Sequence, residues 1–184
     1  MNRLISLDER QSEFRATDGC ADNEFLLDLI LRHHHTRHNA LYVASIDFAK
    51  AFDTVAHCAI MQTLGARGCP EPMLDYVRSV YSDATTTITS DGWQSQAIHP
   101  RQGVRQGDPL SPFIFNMVMD SLQTSLPDKV GADIDGVKVA AFAVAEDLVL
   151  TASTAAGLHQ LLNRAGGFLA LCGMSLNTEK SFSV

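Results

Sequence analysis

No apolar stretch in this sequence reaches the ~20 residues that a membrane-spanning helix needs. The polar start, with Asn2, Arg3, Asp8, Glu9 and Arg10, lacks the apolar core of a secretory signal. An intracellular protein without a membrane partner is expected. Cysteine is sparse: Cys20, Cys58, Cys69 and Cys172 stand far apart and form no CxxC pair. That spacing argues against a zinc knuckle and against a disulfide framework, and leaves reduced, buried thiols as the expectation. Positive charge is short as well. Against 21 Asp and Glu there are 14 Lys and Arg, a net charge of −7, without the basic stripe of a free-standing nucleic-acid binder. Internal repeats, low-complexity tracts and linkers are lacking. What remains, 184 residues of which 46% are apolar, suits one domain with a real core.

Helical spacing of Phe25, Leu26, Ile30 and Leu31 predicts a helix over 21–38, with Asp18 or Asp22 as N-cap and a histidine-rich end. Residues 41–46 form a short apolar strand ending at Asp47. A helix is expected over 54–64, stopped by Gly65 and Gly68, with Asp53 as its cap. Pro70 or Pro72 starts another that runs to about Tyr81. Thr85–Ser90 and Trp93–Ile98 flank Asp91-Gly92, a dipeptide suited to a tight hairpin turn. After a loop over 99–109 come a helix over 110–126 and a turn-rich connection over 127–136. Two strands, 137–143 and 148–152, follow around a tight turn at 144–147. Thr154 then caps a helix to Cys172, ended by Gly173. Helices interleaved with hairpins in this order predict an α+β fold.

Two acidic positions stand at strand ends. Asp47 closes an apolar strand, and Glu146-Asp147 sits in the turn between two more. An antiparallel sheet could gather these carboxylates, and hard oxygen ligands of this kind suit Mg²⁺. A pair of such ions would clamp the attacking and leaving oxygens of a phosphoryl transfer. An isolated Asp is more often a helix cap or half of an ion pair. His34 and His38 are four residues apart, a spacing compatible with a transition metal, although a polar helix end is the commoner meaning.

Longer segments carry a resemblance. SIDFAKAFDTVAH (45–57) resembles motif A of reverse transcriptases, and RQGVRQGDPLSP (101–112) resembles motif B. AFAVAEDLVLTA (141–152) holds the place of motif C, and GMSLNTEKS (173–181) looks like motif D. QSEFRATDGCADNEFLLDLI (11–30) is similar to the segment before motif A in non-LTR, LINE-type elements, especially those inserting in ribosomal DNA. The resemblance runs in order from about Gln11 to Ser181. It implies a polymerase palm over 41–184, with an antiparallel sheet backed by helices, and part of the fingers over 1–40.

It also implies the chemistry: RNA-directed DNA synthesis from deoxynucleoside triphosphates on a primer 3′-OH, with two Mg²⁺ ions or Mn²⁺ in their place. Asp47, Glu146 and Asp147 would be metal ligands, assisted by the backbone carbonyl of Phe48. Phe52 would be the steric gate against a ribose 2′-OH. Gln106 and Gly107 would line the nucleotide pocket, Pro109, Ser111 and Pro112 would shape the entry to the next helix, and Arg101 and Arg105 would contact phosphate or template. Lys180 would assist the pyrophosphate. The implied partners are an RNA template, a DNA primer or target, and the remaining fingers, thumb, DNA-binding and endonuclease segments of a polyprotein that works in the nucleus.

One motif departs from the family pattern. The aromatic, small residue and Asp-Asp expected in motif C read Val144-Ala145-Glu146-Asp147 here. The extra methylene of Glu146 shifts its carboxylate by ~1.5 Å, about a C–C bond length, where Mg²⁺ tolerates little displacement. Weakened catalysis is therefore expected. Two alternatives follow: an inactive or domesticated polymerase fold used as a binding module, and an intron maturase-type RNA-binding protein.

Overall fold

The computed structural model describes residues 19–184 apart from 145 and 146. Helix α1 (Gly19–Thr36) leads into strand β1 (Tyr42–Asp47), then the short α2 (Ala51–Thr54), α3 (His57–Ala66) and α4 (Glu71–Ser82). Strands β2 (Thr89–Ser90) and β3 (Trp93–Gln94) form an exposed ribbon before α5 (Ser111–Ser125). Strands β4 (Ala132–Ile134), β5 (Val137–Val139), β6 (Ala141–Val144) and β7 (Asp147–Ala152) precede α6 (Ala155–Leu171) and β8 (Phe182–Ser183).

The central sheet is antiparallel, ordered β6-β7-β1-β8. Period-2 alternation sends Ala44, Ile46, Phe48, Leu148 and Leu150 into the main core, where α3, α5 and α6 contribute Ile60, Phe115, Met119 and Leu161. Phe142 and Val149 instead pack toward Ile30 of α1 in a second, smaller cluster. Helices thus back the sheet, and the α+β architecture expected from the sequence is what is found.

Caps and turns explain several boundaries. Thr154 is the N-cap of α6, its hydroxyl accepting the Gly157 N–H. Gly173, at φ 72°, ends that helix. Asp91 and Gly92 both take positive φ, 43° and 84°, the two-residue turn expected of them.

Several expectations need correction. The helix placed over 54–64 is two helices, and Asp53 lies inside α2 and does not cap Thr54. Val55 and Ala56 are extended because distant partners hold them: Gly103 N–H donates to Val55 O at 2.7 Å, and Ala56 N–H donates to Cys172 O at 2.8 Å. The 127–136 connection contains β4, which pairs with β5 through an Asp135-Gly136 turn at φ 50° and 90°. The strand expected over 137–143 consequently divides at Ala140, with β5 on β4 and β6 on β7. Gly131 allows that crossing, since a Cβ there would lie 2.7 Å from Val139 O.

At the start, Asp22 is inside α1, and Asp18 lies outside the described residues. Helix α1 stops at Thr36, and His38 falls beyond it at φ 54°. His34 is buried, its Nδ1 3.0 Å from Ala40 O, so the two histidines do not form a metal pair on one helix face. Among the thiols, Cys69 and Cys172 are buried as expected, but Cys58 is exposed. Burial pushes the Cys172 thiol up to about 11, with Cys58 adding to the effect. No described helix is long and apolar enough to cross a membrane.

Candidate active site

Pairing of β1 with β7 runs from Tyr42↔Ala152 to Asp47↔Asp147. The register therefore sets two carboxylates directly opposite each other at the end of the sheet, 100 residues apart in sequence. Opposed residues on neighbouring strands share a face, with Cβ atoms roughly 4.5–5.5 Å apart. Like charges so placed repel, and a cation between them relieves the repulsion. Asp47 is half-buried on the face away from Ile46 and Phe48, while Asp147 is exposed. Glu146, the remaining expected ligand, lies outside the described residues.

The segment after α6 holds Asp47 from its other side. Asn177 N–H donates to Asp47 O at 2.8 Å, and Ala49 N–H donates to Ser175 O at 2.9 Å, flanking a bridge between Phe48 and Leu176. Asp47 N–H donates to Ser181 Oγ at 3.2 Å. The Asn177 side chain adds a bond of its own, its Nδ2 donating to Asp47 Oδ2 at 2.7 Å. Carbonyls alternate in direction along an extended backbone. With Asp47 O turned toward Asn177, Phe48 O is directed toward the β7 edge, the side of Asp147. The Phe48 ring is buried in the core, so only that carbonyl is available for a metal.

Around Asp47 opens a depression of about 610 Å³, lined by Phe48, Lys50, Phe52, Asp53, Gln106, Asn177 and Lys180. A second, more apolar one of about 490 Å³ shares Phe52 and Gln106 and adds Arg105, Gly107, Pro109 and Pro112. Phe52 stands between the two, half-buried, its ring centroid 4.4 Å from that of Phe115 on α5.

The loop over 101–108 is tied to the motif A segment along several residues. Val104 N–H donates to Phe52 O at 2.7 Å, and Gln106 Nε2 donates to Asp53 Oδ1 at 3.2 Å. Gly103 packs so closely that a Cβ would sit 2.9 Å from Asp53 O. Asp108 Oδ1 accepts the Leu110 N–H, and Ser111 Oγ donates to Arg105 O, turning the chain into α5.

Six of the residues singled out from sequence therefore meet: Asp47, Phe48, Phe52, Gln106 and Lys180 around one depression, with Asp147 across the sheet from Asp47. Arg105 and Gly107 line the adjoining one. Arg101 is apart, beside His57, Arg78 and His99. Sequence reasoning missed Asn177 and Lys50. Lys50 has the left-handed conformation, φ 49° and ψ 50°, unusual for a residue with a side chain. Asn177 lies inside the motif D resemblance, but nothing local marks its bond to Asp47, which spans 130 residues.

Among the described residues no three His, Cys, Asp or Glu side chains gather as a metal site. The donor set still suits Mg²⁺, which binds through one or two carboxylates and keeps several waters. Asp47 and Asp147 supply the carboxylates, and Asn177 engages only one oxygen of Asp47.

An antiparallel sheet with carboxylates opposed at the ends of neighbouring strands, backed by helices and flanked by a Gly- and Pro-containing loop, defines a polymerase palm. The chain belongs to the reverse transcriptase (RNA-dependent DNA polymerase) family, which matches residues 1–184. It is 45% identical over 184 residues to a retrovirus-related Pol polyprotein of a type-2 retrotransposable element of Drosophila melanogaster, covering all of this chain and 17% of that protein. With the Pol polyprotein of a type-1 retrotransposable element of Nasonia vitripennis it shares 37% identity over 174 residues, 95% of this chain and 17% of the relative. The chain thus spans about a sixth of the length of these relatives, which bear out the non-LTR resemblance carried by its motifs. Apo telomerase of Candida tropicalis truncated of its C-terminal domain superposes with a TM-score of 0.70 at 15% identity, over 94% of this chain and 36% of that one. That likeness establishes the fold.

Proposed function

We propose that this chain is the catalytic core of an RNA-directed DNA polymerase, adding deoxynucleotides to a primer 3′-OH on an RNA template, with palm over 41–184 and part of the fingers over 1–40. The opposed pair Asp47 and Asp147 carries the reading, because two repelling carboxylates at a sheet end suit a divalent cation. Two Mg²⁺ ions, when bound, would supply stabilisation for the attacking and leaving oxygens of an in-line displacement.

The chain's own residues do the rest. Asp47, Asp147 and Glu146, with the Phe48 carbonyl, would hold the cations. Phe52 crowds the sugar of the incoming nucleotide, and Gln106, Gly107 and Arg105 shape the adjoining pocket. Lys180 faces the departing pyrophosphate, where a cation stabilises developing charge or hands over a proton. The partners are an RNA template, a DNA primer or target, deoxynucleoside triphosphates and the further segments of a Pol polyprotein, with a nucleus as the place of work.

The test is primer extension on an RNA template by the intact protein with Mg²⁺. Activity that persists without divalent metal would sink the reading. Replacing Phe52 with Val should lower discrimination against ribonucleotides about 10- to 100-fold, comparable to reshaping an apolar pocket by a few carbons. Unchanged discrimination in single-nucleotide incorporation would show that Phe52 is only a core aromatic against Phe115.

Glu146 favours a second reading, a polymerase fold with impaired catalysis that serves as a binding module. If its longer side chain misplaces the carboxylate, Glu146→Asp should raise the extension rate about 10²-fold, the size expected of a displacement of about 1 Å. Equal rates for both residues would show Glu146 to be a competent ligand.

A further inference from the structure

The Asn177 side chain makes one hydrogen bond that the fold at this point does not require. Its backbone is secured independently. Asn177 N–H donates to Asp47 O, and Asn177 O accepts from Ser181 N–H at 3.0 Å and Lys180 N–H at 3.3 Å. Ser181 Oγ closes the same turn, donating to Asn177 O at 2.8 Å and accepting the Asp47 N–H. Among the described residues, the Nδ2 bond to Asp47 Oδ2, 2.7 Å long, is the one that depends on the side chain.

That bond falls on the carboxylate that faces Asp147 across the strands. A carboxylate on a single-bonded stem rotates, and a metal ligand works best when its free oxygen is already aimed. Holding Oδ2 fixes the rotation and leaves Oδ1, together with the second lone pair of Oδ2, for cations. An amide is suited to this task because it donates without bringing charge. A lysine in its place would compete with the cation for the carboxylate.

We infer that Asn177 is a positioning residue of the metal site, holding the Asp47 carboxylate in one rotation for the divalent cations it would bind. The same turn carries Lys180 into the depression beside Asp47, so one short segment aims a metal ligand and places the cation proposed for the pyrophosphate. The inference rests on the proposal that Asp47 binds metal, and the experiment separates the two.

Mn²⁺ alone is titrated into the intact protein, and free Mn²⁺ is counted by electron paramagnetic resonance. Asn177→Ala should weaken binding about 10- to 100-fold, the usual loss when a group orienting a ligand is removed, with the thermal midpoint little changed. Raising Mg²⁺ should restore much of the lost extension rate, which would not happen were the turn merely collapsed. Asn177→Leu, of similar volume and without a donor, is read in place of alanine if that variant fails to fold. Affinity within threefold of the parent in the folded Asn177 variant, while Asp47→Asn loses binding, overturns the role of Asn177 and leaves the metal site standing. Binding that survives Asp47→Asn removes the metal site and this inference together.

Discussion

Asp47→Asn is expected to lower RNA-templated primer extension on the order of 10³-fold while leaving the fold intact. Asp47 ends β1 opposite Asp147, and the change removes a charge without removing volume. The backbone bonds from Asn177 and to Ser181 are unaffected by it. Lost metal-mediated charge stabilisation is worth several kcal/mol, which corresponds to that fall in rate. Removing repulsion between opposed carboxylates should, if anything, raise the thermal midpoint of the metal-free protein slightly. Rate and stability therefore move in opposite directions, a pattern that a purely structural Asp47 would not give. Steady-state extension assays beside a melting curve check both, and a variant with more than a tenth of the parent rate would contradict the assignment.

A second large effect is expected far from that site. Asp120 on α5 is fully buried and ion-paired with Arg67, which follows α3 and whose side chain is 21% exposed. Arg67 also donates to Ser121 Oγ at 3.4 Å. Asp120→Ala leaves a guanidinium largely out of water beside an apolar core, at a cost of about 3–5 kcal/mol. At this chain length the thermal midpoint should fall on the order of 10 °C. Pairing Asp120→Leu with Arg67→Met removes both charges, and the double variant should recover most of the loss because paired buried charges repay their desolvation poorly. Equilibrium unfolding of the single and double variants checks the pair. A double variant as unstable as Asp120→Ala would show that hydrogen bonds to other α5 groups, and not the stranded charge, set the cost.

Much of this architecture was legible from residues alone, and the omissions share a cause. Residues 41–46 and 148–152 announce strands because short apolar runs abut acidic residues, and Thr154 and Gly173 bracket α6 by their own chemistry. Such signals are local. The break in the helix after Asp53 is not, since Gly103 and Cys172 hold Val55 and Ala56 extended from distant parts of the chain. β4 is only three residues long and was hidden in a turn-rich stretch, although Asp135-Gly136 is the same kind of dipeptide that marked the Asp91-Gly92 turn. In the site, an acidic strand end marked Asp47 and the resemblance to motifs A, B and D pointed to Phe52, Gln106 and Lys180, while no pattern in sequence reveals a side-chain bond such as that between Asn177 and Asp47.

The antiparallel register of β1 and β7 bears on how the protein is made. Asp47 meets Asp147 only after 100 further residues have been added, and Asn177 joins them 30 residues later still. Contacts this far apart in the chain close slowly, because a long loop must be ordered before any pairing rewards it. A nascent chain that ends before motif C therefore carries the β1 carboxylate alone, and one that ends before motif D has its opposite number but not its amide. Within this segment the metal site proposed at Asp47 would be completed in two steps, the opposed carboxylate first and the amide that holds it 30 residues later.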